Sequence, residues 1–336
     1  MTDFFRDRTV LVTGGTGSIG SEVVRRLLDL GPRALRVLSR DDSKQFELAQ
    51  ELGDRSALRL LIGDVRSRER VARAMSGVDF VVHAAAMKHV PACEFNPFEA
   101  TETNVRGTQN VVEAAIDAGV ERVLNVSTDK AVDPTNVMGA TKLLSERLMS
   151  GAELYKGASV ARFASVRFGN VIGSRGSLVP LILSQVARGG PVTVTDPEMT
   201  RYFMPLSEAA GLCLLAMERM KGGEVFILRM PRVRVGDLIE VLIDAYAPRA
   251  GYRPDEISVS TIGVRSGEKM DEGLMTAAER RRARAMDNMW VVPRVTDHGE
   301  AVTAADDTTP LLDRQAIRDL LDEAGWLSPE SIRRLG

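Results

Sequence analysis

Several things are scarce in this sequence. Its 336 residues include only two cysteines, Cys93 and Cys213, far apart. That excludes a disulfide framework and any CxxC metal site, and it fits a reducing cytoplasm. The three histidines, His83, His89 and His298, make no HxxxH pair and no cluster with the cysteines, so an ordinary structural zinc site is not expected. No apolar run approaches the roughly 20 residues of a membrane span, and the polar, mixed-charge stretch Met1–Arg8 does not read as a signal peptide. An excess of one charge is also missing. Lys and Arg number 44 against 46 Asp and Glu, a net charge of −2, which gives no electrostatic case for nucleic acid or a membrane surface. Lysine itself is rare: Lys44, Lys88, Lys130, Lys142, Lys156, Lys221 and Lys269 are the whole set, so each one invites a question.

What is present is a regular alternation. Apolar runs at 9–13, 34–39, 58–62, 79–83, 122–127 and 159–168 read as strands, separated by helical patterns at 18–30, 43–52, 68–75, 98–118 and 136–150. Strands spaced by helices predict an α/β fold, a Rossmann-type doubly wound parallel sheet. After Phe168 the pattern breaks into shorter pieces: helices at 178–188, 207–220 and 235–245, strands at 191–197, 225–229 and 257–262. The expected organisation is a dinucleotide-binding domain over 1–168, to which about 204–232 returns. A smaller C-terminal substrate-binding domain takes 169–203 and 233–293, and 294–336 is a polar tail with an amphipathic helix at 311–324.

The first strand runs directly into Gly14-Gly15-Thr16-Gly17-Ser18-Ile19-Gly20. Gly14 allows a tight turn, Gly17 lets the backbone approach a pyrophosphate at a helix N-terminus, and Gly20 lets helix and strand pack closely. A glycine turn without a ligand is the plain alternative, but placement after the first strand of a βαβ run favours a dinucleotide. The second strand ends Ser39-Arg40, with Lys44 behind, where an NAD site usually carries an acid. These side chains suit a 2′-phosphate and so NADP, while Asp41 and Asp42 keep NAD open. Asp64-Val65 after the third strand, Ala84-Ala85-Ala86 after the fourth, and Asn104 complete the expected cofactor positions. Lys88 follows the fourth strand and is expected to face the substrate.

The fifth strand ends Ser127-Thr128-Asp129-Lys130, and a helix follows with Met138-Gly139-Ala140-Thr141-Lys142. With the segments at 12–28, 82–97, 125–148, 167–177 and 194–204, this chain resembles the extended short-chain dehydrogenase/reductase superfamily. Within it, the chain is similar to the bacterial UDP-N-acetylglucosamine 4,6-dehydratases of the capsule and flagellin-glycan type. The resemblance covers most of residues 9–270. It implies that Lys142 is the superfamily's catalytic lysine and that Met138 stands where the catalytic tyrosine is usual, a departure found in part of this dehydratase family. A thioether takes no proton, so another group must handle the carbon-4 hydroxyl, and Asp129 is the nearest. Thr128-Asp129-Lys130 corresponds to the Thr-Asp-Glu of other nucleotide-sugar dehydratases, with Lys130 in the base position. A free lysine titrates near about 10.4, so the expectation requires surroundings that let Lys130 act as a base.

The same resemblance places the substrate diphosphate on Asn170 and Arg201, the uracil beside Thr193 and Val194, and phosphate and ribose on Arg265 and Glu268. One departure stands out. The family usually continues with Lys-Leu-His-Glu, whereas this chain has Lys269-Met270-Asp271-Glu272. The leading expectation is a UDP-N-acetylhexosamine 4,6-dehydratase, with or without inversion at carbon 5, working with a tightly held NADP or NAD. A UDP-sugar 4-epimerase or another UDP-sugar dehydratase on the same scaffold is the alternative, and a non-catalytic NADP-binding protein is the reading from outside enzymology. The resemblance further implies a homo-oligomer, often a hexamer, without the membrane spans of longer relatives and located in the cytoplasm.

Overall fold

The computed structural model describes residues 3–265, 267–294 and 309–328. In chain order its strands are β1 (Thr9–Thr13), β2 (Ala34–Ser39), β3 (Leu58–Ile62), β4 (Phe80–His83), β5 (Arg122–Val126), β6 (Arg162–Arg167), β7 (Asn170–Val171), β8 (Val192–Val194), β9 (Thr200–Met204), β10 (Val225–Leu228), β11 (Arg232–Arg234), β12 (Val259–Thr261), β13 (Arg284–Met286) and β14 (Met289–Val292). The main helices are α1 (Ser18–Asp29), α2 (Asp42–Leu52), α3 (Arg68–Met75), α4 (Val90–Phe95), α5 (Pro97–Thr101), α6 (Gly107–Ala118), α7 (Val137–Tyr155), α8 (Leu178–Val186), α9 (Leu206–Arg219), α10 (Val235–Tyr246), α11 (Ala277–Arg280) and α12 (Arg314–Glu323).

The chain forms two units. The first takes Met1–Phe168, Ala210–Leu228 and Leu274–Ala305; the second takes Gly169–Ala209, Arg229–Gly273 and Asp306–Gly336. The first is built on a nine-stranded sheet in the order β13-β14-β10-β6-β5-β4-β1-β2-β3. From β10 to β3 every neighbouring pair is parallel. β1, every residue of which is buried, reads Thr-Val-Leu-Val-Thr, the apolar, β-branched run that a strand covered on both faces requires. Side chains cap the helices at their starts: Asp41 caps α2, Ser67 caps α3 and Asn136 caps α7. One core cluster collects Leu11, Val81, Val123 and Phe163 from the strands with Val111, Ala115 and Met149 from α6 and α7.

The second unit contains a three-stranded sheet, β11-β9-β7, and the parallel pair β12-β8. Its core brings together Ile182 and Val186 of α8, Leu238 and Leu242 of α10, Phe203 of β9, and Ile317, Leu321 and Trp326 near the C-terminal end. Gly173 has φ +72, and a Cβ there would run into the Trp326 indole. The loop after Asn170 is thereby fixed by the α12 segment.

Three expectations are corrected. Residues 98–118 are not one helix: a π-helical turn over Glu102–Arg106 separates α5 from α6. A helix at Val90–Phe95, not anticipated, precedes them. The substrate domain does not run unbroken to 293, because β14 pairs antiparallel with β10 and β13 with β14, which puts the 274–294 stretch on the large sheet.

Candidate active site

The glycine turn has the shape that its spacing predicted. Gly14 has φ +67, and a Cβ there would lie 2.6 Å from the Ala85 backbone. A Cβ at Gly20 would meet the Gly14 carbonyl. The turn and the Ala84–Ala86 stretch after β4 therefore approach each other only because glycine is present. Gly17 starts α1 with no side-chain cap, and the first turn carries no acid, so the leading N–H groups of Ser18, Ile19 and Gly20 are oriented for an anion. At the end of β2, Ser39 Oγ and Thr16 Oγ1 are 2.7 Å apart. Arg40 lies 3.6 Å from Asp64, and Lys44 pairs with Asp41 at 2.7 Å. Burial pushes the Asp64 carboxyl up, but the side chain and backbone of Arg66 outweigh it and hold the group below its ordinary range. Val65 is buried against Gly107 of α6. These features make a cradle that fits a dinucleotide.

Asn104 is anchored within the protein. Its side chain accepts from the Met87 N–H at 2.8 Å and donates to the Met87 carbonyl and to Thr141 Oγ1, each at 3.0 Å. Both amide donors are engaged within the protein, so Asn104 fixes the segment carrying the exposed Lys88. The π-helical turn is where this residue sits, and such turns often mark functional positions.

The end of β5 concentrates charge. Thr128 Oγ1 donates to Asp129 Oδ1 at 2.8 Å, and Lys130 Nζ donates to the same oxygen at 3.0 Å. Asp129 is 0% exposed, and its Oδ2 has no hydrogen-bond partner among the described residues. The Asp129 amide donates to the Phe168 carbonyl at 3.0 Å, so β6 registers the acid. Gly139 admits α7 against this segment, since a Cβ there would strike the Lys130 carbonyl. Met138 is buried in an apolar cluster with Cys93 and Ala100, as a group with no proton to transfer can be. Lys142 is buried, and its Nζ donates to the Val126 carbonyl at 2.5 Å. Burial pulls its ammonium down to about 8, against the opposing influence of Glu146. Burial and the Lys142 charge push His83 down to about 3. His83 is therefore neutral, held between Thr13 and Thr108.

The residues expected to bind UDP all lie in the second unit, and β9 joins three of their segments. Asn170 on β7 is in register with Phe203 of β9. Arg201, on the same strand, is nearly buried; its guanidinium donates to the Thr200 carbonyl at 2.8 Å and the Met270 carbonyl at 3.0 Å. Among the described residues Arg201 pairs with no carboxylate, and such a buried, carbonyl-anchored cation suits an anionic ligand. The Met270 contact brings in the loop of Arg265 and Glu268, where the Glu268 carboxylate accepts the Arg265 N–H at 3.2 Å. Thr193 is held by Gln185 through both its amide and its hydroxyl, and the Val194 carbonyl accepts from the Ile262 N–H. Asp271, where the family's histidine is usual, accepts from Thr200 and from Arg232 at 3.1 Å; here it ties β9 and β11 to the loop.

The sequence did not reveal a buried cluster behind the β5 end. Glu146 of α7, Arg167 of β6 and Glu279 of α11 form ion pairs at 2.6 and 2.9 Å, and Ser127 Oγ donates to Glu146 at 2.5 Å. The available signal was Glu146, one helical turn beyond Lys142 and on the same face; nothing local points to Arg167 or Glu279.

A Rossmann-type sheet with a glycine cradle, a Ser-Thr-Asp-Lys strand end and a buried helix lysine defines an extended short-chain dehydrogenase/reductase. The chain belongs to the polysaccharide biosynthesis protein family, whose model matches residues 10–294. It is 49% identical over 330 residues to an uncharacterized membrane protein of Methanocaldococcus jannaschii, covering 97% of this chain and 99% of that one. It is 40% identical over 290 residues to an inverting UDP-N-acetylglucosamine 4,6-dehydratase of Campylobacter jejuni, covering 86% and 83%. The X-ray structure of Pen from Bacillus thuringiensis superposes with a TM-score of 0.92 at 43% identity, over 97% of this chain and all of that one. DesIV, a dTDP-glucose 4,6-dehydratase from Streptomyces venezuelae solved with NAD, gives a TM-score of 0.69 at 27% identity, over 80% of this chain and 88% of that one. No helix among the described residues is long and apolar enough to cross a membrane.

Proposed function

We propose that this protein is a UDP-N-acetylglucosamine 4,6-dehydratase that makes a 4-keto-6-deoxy sugar by internal hydride transfer. The observation that carries the reading is Asp129, fully buried, sharing one carboxylate oxygen with Lys130 and Thr128 and leaving the other without a partner. An epimerase has no need of an acid beside a base for elimination. A nicotinamide held by the glycine turn and Lys142 would supply the hydride chemistry that links carbon 4 to carbon 6. The protein's residues handle the protons. Asp129 takes the proton of the carbon-4 hydroxyl as that carbon becomes a ketone. The ketone acidifies the carbon-5 hydrogen, which Lys130, acting from its neutral amine, removes as a proton. The carbon-6 hydroxyl leaves with the proton held by Asp129, as water. Lys130 then returns its proton to carbon 5, as carbon 6 becomes a methyl group. Lys142 binds the cofactor as an ammonium, and Met138 takes no part.

The proposal assigns the uridine diphosphate to Asn170, Arg201, Arg265 and Glu268, with Thr193 and Val194 beside the uracil and Lys88 toward the sugar. Arg201 supports this most, as a buried cation without a counter-ion among the described residues. NADP is preferred over NAD, because Ser39, Arg40 and Lys44 stand where an NAD site carries an acid. A homo-oligomer in the cytoplasm completes the reading; the free, buried Cys93 and Cys213 and the exposed aromatic pair Phe95 and Phe98 support it. Incubation with UDP-N-acetylglucosamine, followed by mass spectrometry, tests the function. A product lighter by one water is expected. A product of unchanged mass with altered carbon-4 configuration identifies an epimerase, and binding without turnover identifies a non-catalytic protein.

A further inference from the structure

The cluster behind the β5 end is unusual in its completeness. Arg167 is 1% exposed. Its guanidinium makes five hydrogen bonds: Nε to Glu146, Nη1 to the Leu274 carbonyl and to Glu279, and Nη2 to Glu146 and to Glu279. All five N–H donors of the side chain are therefore satisfied. Burial opposes its charge, but the two carboxylates outweigh that and keep it charged. Glu279 is oriented in turn by the Thr276 N–H at 2.9 Å, in a reciprocal cap of α11. At the other end Glu146 receives the Ser127 hydroxyl, the residue before Thr128 and Asp129. Glu146 also belongs to the helix that carries Lys142. A rigid chain of contacts thus runs from Glu279 through Arg167 and Glu146 to the strand end that bears the acid and the base.

We propose that Glu279 is a positioning residue for the reaction, which through Arg167 and Glu146 fixes Ser127 and so the Thr128–Lys130 segment. It touches no substrate atom. Two carboxylates on one guanidinium hold that guanidinium in a single orientation, so Glu146 offers one fixed oxygen to Ser127. Without Glu279 the guanidinium keeps only one bidentate partner, and Glu146 can turn with it. The kinetic consequence rests on the dehydratase reading; the structural consequence does not.

The test compares Glu279→Gln, Ser127→Ala and the double variant in the full chain. Hydrogen-exchange mass spectrometry of the peptide containing Thr128–Ala131 is the measurement independent of activity. Both single variants are expected to speed exchange there by about tenfold or more, with the β1 peptide unchanged as the internal control. With UDP-N-acetylglucosamine, kcat is expected to fall about tenfold in each, KM to stay within about twofold, and the double variant to be no worse than the poorer single one, as members of one chain of contacts should behave. Unchanged exchange at 128–131 in Glu279→Gln overturns the inference, as do losses that multiply in the double variant. If Glu279→Gln does not fold, Glu279→Asp, which keeps the charge but withdraws it by one methylene, is judged by the same criteria. A wild-type protein that releases no water refutes the functional reading alone, because the exchange result stands without it.

Discussion

Two buried charge clusters lie close together in the first unit, and they are built in opposite ways. Glu146, Arg167 and Glu279 leave no guanidinium donor unmatched, whereas Asp129 and Lys130 leave a carboxylate oxygen buried and unpartnered. An unmatched buried acceptor costs about 1–3 kcal/mol, which a cluster kept only for shape has no reason to carry. The satisfied cluster supplies rigidity, and the unsatisfied one holds the acceptor on which the proposed chemistry rests. The contrast is between polar groups that are all matched and a buried acceptor that is not.

The largest expected effect breaks the unsatisfied cluster. Lys130→Ala should lower turnover by about 10²–10⁴ and abolish solvent deuterium exchange at carbon 5, with cofactor and UDP still bound. Met138→Ala should cost far less. Near-normal turnover in Lys130→Ala would sink the mechanism and move the base to Lys88 or His89. Breaking the satisfied cluster at its cation should be read first in stability. Arg167→Met leaves two buried carboxylates without their cation, and urea denaturation should show a loss of about 3–5 kcal/mol. A variant as stable as the parent would mean that the cluster is not the scaffold described.

Arg201 sharpens the contrast, since it resembles the scaffold in its carbonyl anchors and the reactive site in its unmatched charge. Calorimetric titration with UDP should show Arg201→Ala weakened by about 1.5–3 kcal/mol; unchanged affinity would move the diphosphate elsewhere. Lys142 gives a pH signature. Its ammonium titrates at about 8, so cofactor affinity should fall as pH rises through that value, and Lys142→Arg should remove the fall. Affinity that stays flat across this range would contradict an ammonium contact. The stability linkage runs the other way. Between about 8 and the ordinary 10.5 the folded state holds fewer protons than the unfolded chain, so this group's contribution to stability rises with pH over that window. The smallest effect is expected at Arg40, which is half exposed and already paired with Asp64. Arg40→Ala should weaken NADP more than NAD; equal losses would remove the case for the 2′-phosphate.

Legibility followed distance along the chain. The glycine cradle could be read because its glycines fall within seven residues directly after β1, even though the backbone that Gly14 admits, at Ala85, lies far along the chain. The α7 signals were local too: Asn136 as a cap, and Met138 and Lys142 one turn apart. The Arg167 cluster was not legible, since Glu146 and Glu279 lie 21 and 112 positions from it, and each alone passes for a surface charge. The π-helical turn escaped because its residues fit an ordinary helix, and only the grip of Asn104 on Met87 gives it a reason. The β13–β14 hairpin escaped because Arg284–Met286 is too short, at three residues, to signal a strand before its partner is known. The loop departure at Asp271 was visible, but its work between Thr200 and Arg232 depends on strands placed far apart in sequence.

The large sheet has two outer borders, β3 on one side and β13 on the other. Open borders of this kind present unpaired backbone groups to any passing chain, and a nine-stranded sheet with an apolar interior would be a ready seed for aggregation. Both borders carry an arginine, and one of them is brief. β13 is three residues long and begins with the exposed Arg284. On β3, Arg59 turns back to donate to the Ser56 and Leu58 carbonyls, at 2.6 and 2.8 Å, occupying acceptors next to that border. Arginine at a border of this kind disfavours strand pairing with a second molecule.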